Sequence, residues 1–112
     1  MKIEGKGKVL VIFIGDSDRW KHKPLHEAIV ESAHAHGMAG ATVTRGIMGF
    51  GANSRVHTAS ILRLSEDLPV RIEIIDTAER IDSFLPLLDE MVQEGLVATW
   101  EVTIEKYSHA KT

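Results

Sequence analysis

Apolar residues fall along this chain in blocks whose spacing alternates between strand and helix. Val9-Leu10-Val11-Ile12-Phe13-Ile14 is an unbroken β-branched and aromatic run ending at Gly15, the pattern of a strand buried on both faces or set against an interface. It predicts a central first strand. Asp16 to Lys23 is polar and reads as a loop, with Pro24 where a first helical residue is tolerated. Leu25, Ala28, Ile29, Ser32, Ala33 and His36 then recur at helical spacing, and Gly37 is the stop.

Thr42-Val43-Thr44 returns to strand composition and leads into Thr44-Arg45-Gly46-Ile47-Met48-Gly49-Phe50-Gly51. Glycine weakens a strand interior, so the glycines here point to close backbone approach to a ligand, a neighbouring subunit or the next strand. Ala52 to Ser60 lacks an apolar period and reads as a loop; Ile61, Leu62 and Leu64 predict a short returning strand. Beyond Leu68-Pro69, Val70, Ile72 and Ile74 alternate with Arg71 and Glu73, a strand with one apolar and one mixed face. Asp76-Thr77-Ala78-Glu79 has the form of a capping box. It opens a second helix that turns Ile81, Phe84, Leu85, Leu88 and Met91 inward, with a kink or restart expected between Asp82 and Pro86 and an end at Gly95. Ala98, Trp100, Val102 and Ile104 then alternate with polar residues as a half-buried strand.

The resulting order is βαββαβ. Its common compact solution is an α+β, ferredoxin-like domain: a four-stranded antiparallel sheet with two helices on one face, here spanning residues 1–112. At 112 residues, 44% hydrophobic and 26% charged, the chain has the composition of one such domain. The net charge of -3 gives no basic face for nucleic acid. Without cysteine there is no disulfide, thiolate metal site or cysteine nucleophile. Met1 to Lys8 does not have the form of a secretory signal, so a cytoplasmic protein is expected, and the Val9–Ile14 run is too short for direct membrane insertion, which takes about 20 residues.

Two readings of Gly46-x-x-Gly49-x-Gly51 stay open. One is a cradle whose amides converge on phosphate oxygens; the other is a bulged strand entering a hairpin. Nothing in the run matches a Rossmann fingerprint or a P-loop. Phe50 can stack on a base or plug a subunit interface. Arg45, Arg55, His57 and Arg63 form a local positive group suited to phosphate or an acidic partner, or else ordinary solvated charges. The loop after the first strand mixes Asp16 and Asp18 with Arg19, Lys21 and Lys23. His22 and His26 are one helical turn apart, but no carboxylate takes a third matching position, and no metal is expected. His34 and His36 suit a helix C-terminus. There is no nucleophile elbow and no recognisable Ser, His, Asp arrangement, so the chain reads as a non-enzyme.

Taken in order, Phe13-Ile14-Gly15-Asp16-Ser17-Asp18-Arg19, Pro24-Leu25, Gly40-Ala41-Thr42-Val43-Thr44, Arg45 to Gly51, Leu64-Ser65-Glu66-Asp67-Leu68-Pro69 and Ile72-Glu73-Ile74 resemble the PII-like (nitrogen regulatory protein-like) signalling proteins, in particular a bacterial and archaeal branch. That resemblance covers nearly the whole chain. It implies a homotrimer that binds an adenine nucleotide between subunits and regulates a partner such as a membrane transporter through a loop, which here begins at Ala52. By position, Gly49, Phe50 and Gly51 are the cleft residues it transfers, with Arg45, Gly46, Arg55 and Arg71 as further ligand-binding candidates. The regulators' Thr-Gly-x-x-Gly-Asp-Gly-Lys phosphate loop has no counterpart: Gln93-Glu94-Gly95-Leu96-Val97-Ala98 stands there. AMP or ADP is therefore the expected ligand. The signalling loop has no tyrosine to modify. The alternative is a trimeric metal-ion tolerance protein of the same superfamily, with His22, His26 or His57 as ligands.

Overall fold

The computed structural model describes residues 2–51, 57–58 and 68–109. Its elements are β1 (Lys2–Gly15), β2 (Arg19–Trp20), β3 (Lys23–Pro24), α1 (Leu25–Ala35), β4 (Thr42–Arg45), β5 (Met48–Gly49), β6 (His57–Thr58), β7 (Pro69–Thr77), α2 (Ala78–Met91) and β8 (Leu96–Ser108). β4, β7, β1 and β8 form one sheet in that spatial order, and all three pairings are antiparallel. This is the expected ferredoxin-like arrangement. The continuous apolar run of β1 is explained by its place between β7 and β8.

Alternation decides the faces. Leu10, Ile12 and Ile14 of β1 and Val70, Ile72 and Ile74 of β7 point to one side and pack with Leu25, Ala28, Ile29 and Ala33 of α1 and Ile81, Phe84, Leu88 and Met91 of α2. The intervening residues point to the other side, which no helix among the described residues covers. There Val9 stands between Ile75 and Trp100, and Phe13 between Arg71 and Leu96. Trp100 is 48% exposed, Ile75 42% and Phe13 39%. The alternation in β8 is real, yet its apolar side is less buried than expected because it belongs to this open face.

Several element boundaries depart from the sequence pattern for local reasons. Asp16 to Lys23 is not a plain loop: β2 and β3 make a hairpin whose two central residues, Lys21 and His22, have φ of 46° and 72°. Both signs match a type I′ turn, built here without glycine. Pro24 becomes the N-cap of α1. The helix ends in a Schellman motif, in which Gly37 (φ 74°) donates to the His34 carbonyl and Met38 to that of Ala33.

The second helix is capped by Thr77, whose hydroxyl accepts from Arg80 N at 3.3 Å, rather than by Asp76. Asp76 is instead buried. Its carboxylate accepts from Thr77 N at 2.6 Å and Ala39 N at 2.8 Å, and Arg80 stands 3.8 Å away. It thus ties the end of β7 to the α1–β4 connection, where Tyr107 also donates to the Ala39 carbonyl. No restart divides α2 at Pro86, and the helix stops at Met91, before Gly95. Gly95, with φ 148°, serves the turn into β8, where a Cβ would meet the Phe13 carbonyl at 2.5 Å. The returning strand expected at Ile61 to Leu64 lies outside the described residues.

Candidate functional site

The candidate residues gather where β1 and β4 end and β7 begins. Gly46 N donates to the Pro69 carbonyl at 2.7 Å, Asp16 N donates to the Leu68 carbonyl at 2.9 Å, and Gly15 pairs with Pro69 across the sheet. Arg45 Nη2 donates to Asp16 Oδ1 at 2.7 Å, an ion pair that joins the ends of β4 and β1. The hydrogen bond and charge of Asp16 hold the Arg45 guanidinium pKa above its ordinary value. Both partners remain open to solvent. Exposed pairs contribute less than about 1 kcal/mol, so an incoming anion can compete for the arginine at little cost.

The glycines divide into two roles. A Cβ on Gly46 would lie 2.8 Å from Pro69 Cγ, and one on Gly49 would lie 2.9 Å from the same atom. These two glycines let the chain wrap the Pro69 ring. The close approach read from the sequence is therefore to the next strand of the same sheet. Among the described residues, Gly51 has no heavy atom within 4 Å of where its Cβ would stand, which leaves that side of its backbone open to a ligand. β5 pairs with β6 through Met48 with Thr58 and Gly49 with His57, so the hairpin reading holds and part of the expected loop is strand. Next to β5, Phe50 is 66% exposed.

The arginines do not converge. Arg45 pairs in register with inward-facing Val70, on the helix-bearing side of the sheet. Arg71 lies on the open face beside Phe13 and Thr44, with its Nη2 2.8 Å from Glu73 Oε2. Arg55 and Arg63 lie outside the described residues. His22 sits in the β2–β3 turn and His26 in the first turn of α1, where its buried Nδ1 has no hydrogen-bond partner. Among the described residues no group of three or more histidines and carboxylates is placed to hold a metal.

A feature the pattern of apolar residues does not announce lies at this same end. The β2–β3 hairpin, the start of α1 and the turn after α2 enclose an open depression of about 220 Å³. Trp20, Leu25 and Met91 line it together with Asp18, Arg19, Gln93 and Glu94. Asp18 Oδ2 accepts from Gly15 N at 2.9 Å, so one turn links the depression to the Asp16–Arg45 pair. The only sequence signal was a tryptophan inside an otherwise charged stretch.

Among solved structures, the fold is similar to CutA from Synechococcus elongatus PCC7942, with a TM-score of 0.59 at 14% identity over 96% of this chain and 86% of that one. It is also similar to CPII, a nitrogen regulatory PII-like protein from Thiomonas intermedia K12 bound to ADP, AMP and bicarbonate, with a TM-score of 0.59 at 16% identity over 88% of each chain. These likenesses concern the fold, and they agree with the PII-like architecture expected from the sequence. Relatives by sequence are nearer. A UPF0166 protein of Methanocaldococcus jannaschii is 34% identical over 102 residues, covering 90% of this chain and 94% of its own. One of Aquifex aeolicus is 38% identical over 80 residues, 71% of this chain and 76% of its own. The model of the DUF190 family, described as Uncharacterized ACR, COG1993, matches residues 7–104, and with these relatives it establishes that the chain belongs to that family.

Proposed function

We propose that this protein is a PII-like regulator that binds AMP or ADP in a cleft between subunits and passes the ligand state to a partner, without chemistry of its own. The observation that carries this reading is the clustering at one end of the sheet of an exchangeable arginine, Arg45, an unobstructed glycine backbone at Gly51 and an exposed ring at Phe50. Together they offer a charge for phosphate, amides for its oxygens and an exposed ring that a neighbouring subunit or the ligand can cover. A protein of the same fold, CPII, is bound to ADP and AMP.

Assembly as a homotrimer is part of the proposal. Its support is the open sheet face, where Phe13, Ile75 and Trp100 form an apolar surface that a second copy can cover. A cytoplasmic location and a transporter as the regulated partner follow from the PII-like reading; no helix among the described residues is long and apolar enough to cross a membrane. Calorimetry against AMP, ADP and ATP tests the ligand. The expected result is binding of AMP or ADP tighter than about millimolar, with ATP weaker; no binding of any of the three at that level overturns the reading. The metal-ion alternative rests on histidines such as His26, whose buried Nδ1 has no hydrogen-bond partner among the described residues. Dialysed protein with stoichiometric bound metal, or a metal-dependent rise in melting temperature, would favour it.

A further inference from the structure

We propose that the depression beside Trp20 is the seat of the nucleotide's base, and that it selects a purine with an amino rather than an oxo group at position 6. This inference rests on the nucleotide reading above. The floor is apolar: Leu25 and Met91 are buried core residues, and Trp20 is partly buried against the same core. The indole itself lines the depression, and the Lys21 ammonium lies 5.2 Å from its ring centroid. A planar heteroaromatic ring seated in the depression can stack on the indole.

The polar rim supplies the selection. Gln93 and Glu94 are both exposed and line the depression. A glutamine amide pairs with a donor and an acceptor side by side on one edge of adenine, and a carboxylate accepts from the exocyclic amino group. An oxo group at that position leaves the carboxylate facing an acceptor, which disfavours inosine-type and guanine-type bases. Asp18 is already engaged with Gly15 N. It serves to position the Gly15–Asp18 turn, whose other side carries the Asp16–Arg45 pair. The ligand's base and phosphate therefore have separate seats linked by one turn.

The test uses the full chain with 5-fluorotryptophan at Trp20 and Trp100, giving two fluorine resonances assigned from the spectrum of Trp20→Phe. Addition of AMP is expected to shift the Trp20 resonance with the dissociation constant found by calorimetry. Ribose 5-phosphate, which lacks a base, is expected to leave it in place. Inosine 5′-monophosphate is expected to bind at least tenfold more weakly than AMP. Trp20→Ala is expected to lose about tenfold in AMP affinity, the equivalent of about 1.4 kcal/mol. If AMP binds but Trp20 does not respond, if Trp100 responds instead, or if ribose 5-phosphate moves Trp20 equally, the base seat is overturned and the nucleotide reading stands. If neither AMP nor ADP binds, both fall.

Discussion

Gly49 and Gly51 lie two positions apart and have opposite dependence on being glycine. A valine at position 49 pushes against the Pro69 ring, whose Cγ would be 2.9 Å from the new Cβ. Overpacking of this kind costs about 1–3 kcal/mol, so Gly49→Val is expected to lower the denaturation midpoint. Gly51→Ala meets nothing within 4 Å among the described residues and is expected to stay within about 0.5 kcal/mol of the parent. Only the second is a clean probe of binding: it should weaken AMP affinity without moving the midpoint, and a parallel fall in both would place Gly51 in the packing. Arg45 behaves differently again. Its raised pKa means that its share of stability is fully present below the ordinary arginine value and is lost only as pH rises through the raised one. No pH dependence from the arginine is expected near neutrality. Salt is the sensitive variable, so Arg45→Ala should weaken AMP binding more at low than at high ionic strength. At this level the sequence was partly legible: it marked the glycines as places of close approach, but the partner, Pro69, is reached only through the pairing of distant strands.

The short elements show how local chemistry and tertiary context share control. The β2–β3 hairpin places Lys21 and His22 at positive φ, where a side chain costs about 1–2 kcal/mol per residue. His22→Gly is therefore expected to raise stability by about 1 kcal/mol, seen as a melting temperature several degrees higher. An unchanged or lower value would mean that the His22 side chain contributes more than the turn costs. This hairpin was not legible because its turn lacks the Asn-Gly or Asp-Gly signature, and its strands are two residues each. The second helix had the opposite history. Asp76 has the sequence form of a cap, yet it is buried and holds Ala39 N, while Thr77 caps one residue later. Asp76→Ala leaves a buried amide without its acceptor and is expected to cost about 3 kcal/mol in urea unfolding, far more than the roughly 1 kcal/mol of a lost cap.

At the level of the molecule, one sheet face carries the helices and no helix among the described residues covers the other. Trp100→Glu places a charge on the apolar side of that open face, on the edge strand β8 beside Val9. The variant is expected to sediment as a folded monomer where the parent sediments as a trimer; a monomeric parent, or a trimeric variant, would remove this face as the assembly surface. The Val9–Ile14 run, the two helical stripes and the alternation after Leu68 were enough to specify the βαββαβ order, because each strand or helix must bury its own apolar side and that periodicity is written locally. Two matters were decided only when the strands paired. One was which side of β8 meets the core: alternation gives Trp100 and Val97 opposite faces, but it is the packing of both helices on the other face that leaves Trp100 at the surface. The other was the grouping of the site. Arg45 and Arg71 look equivalent along the chain, whereas neighbouring strands set them on opposite sides of the sheet, and Asp16, Gly46 and Pro69 meet because three strand ends coincide. Periodicity is a property of a few consecutive residues; proximity between residues tens of positions apart belongs to the register of the whole sheet.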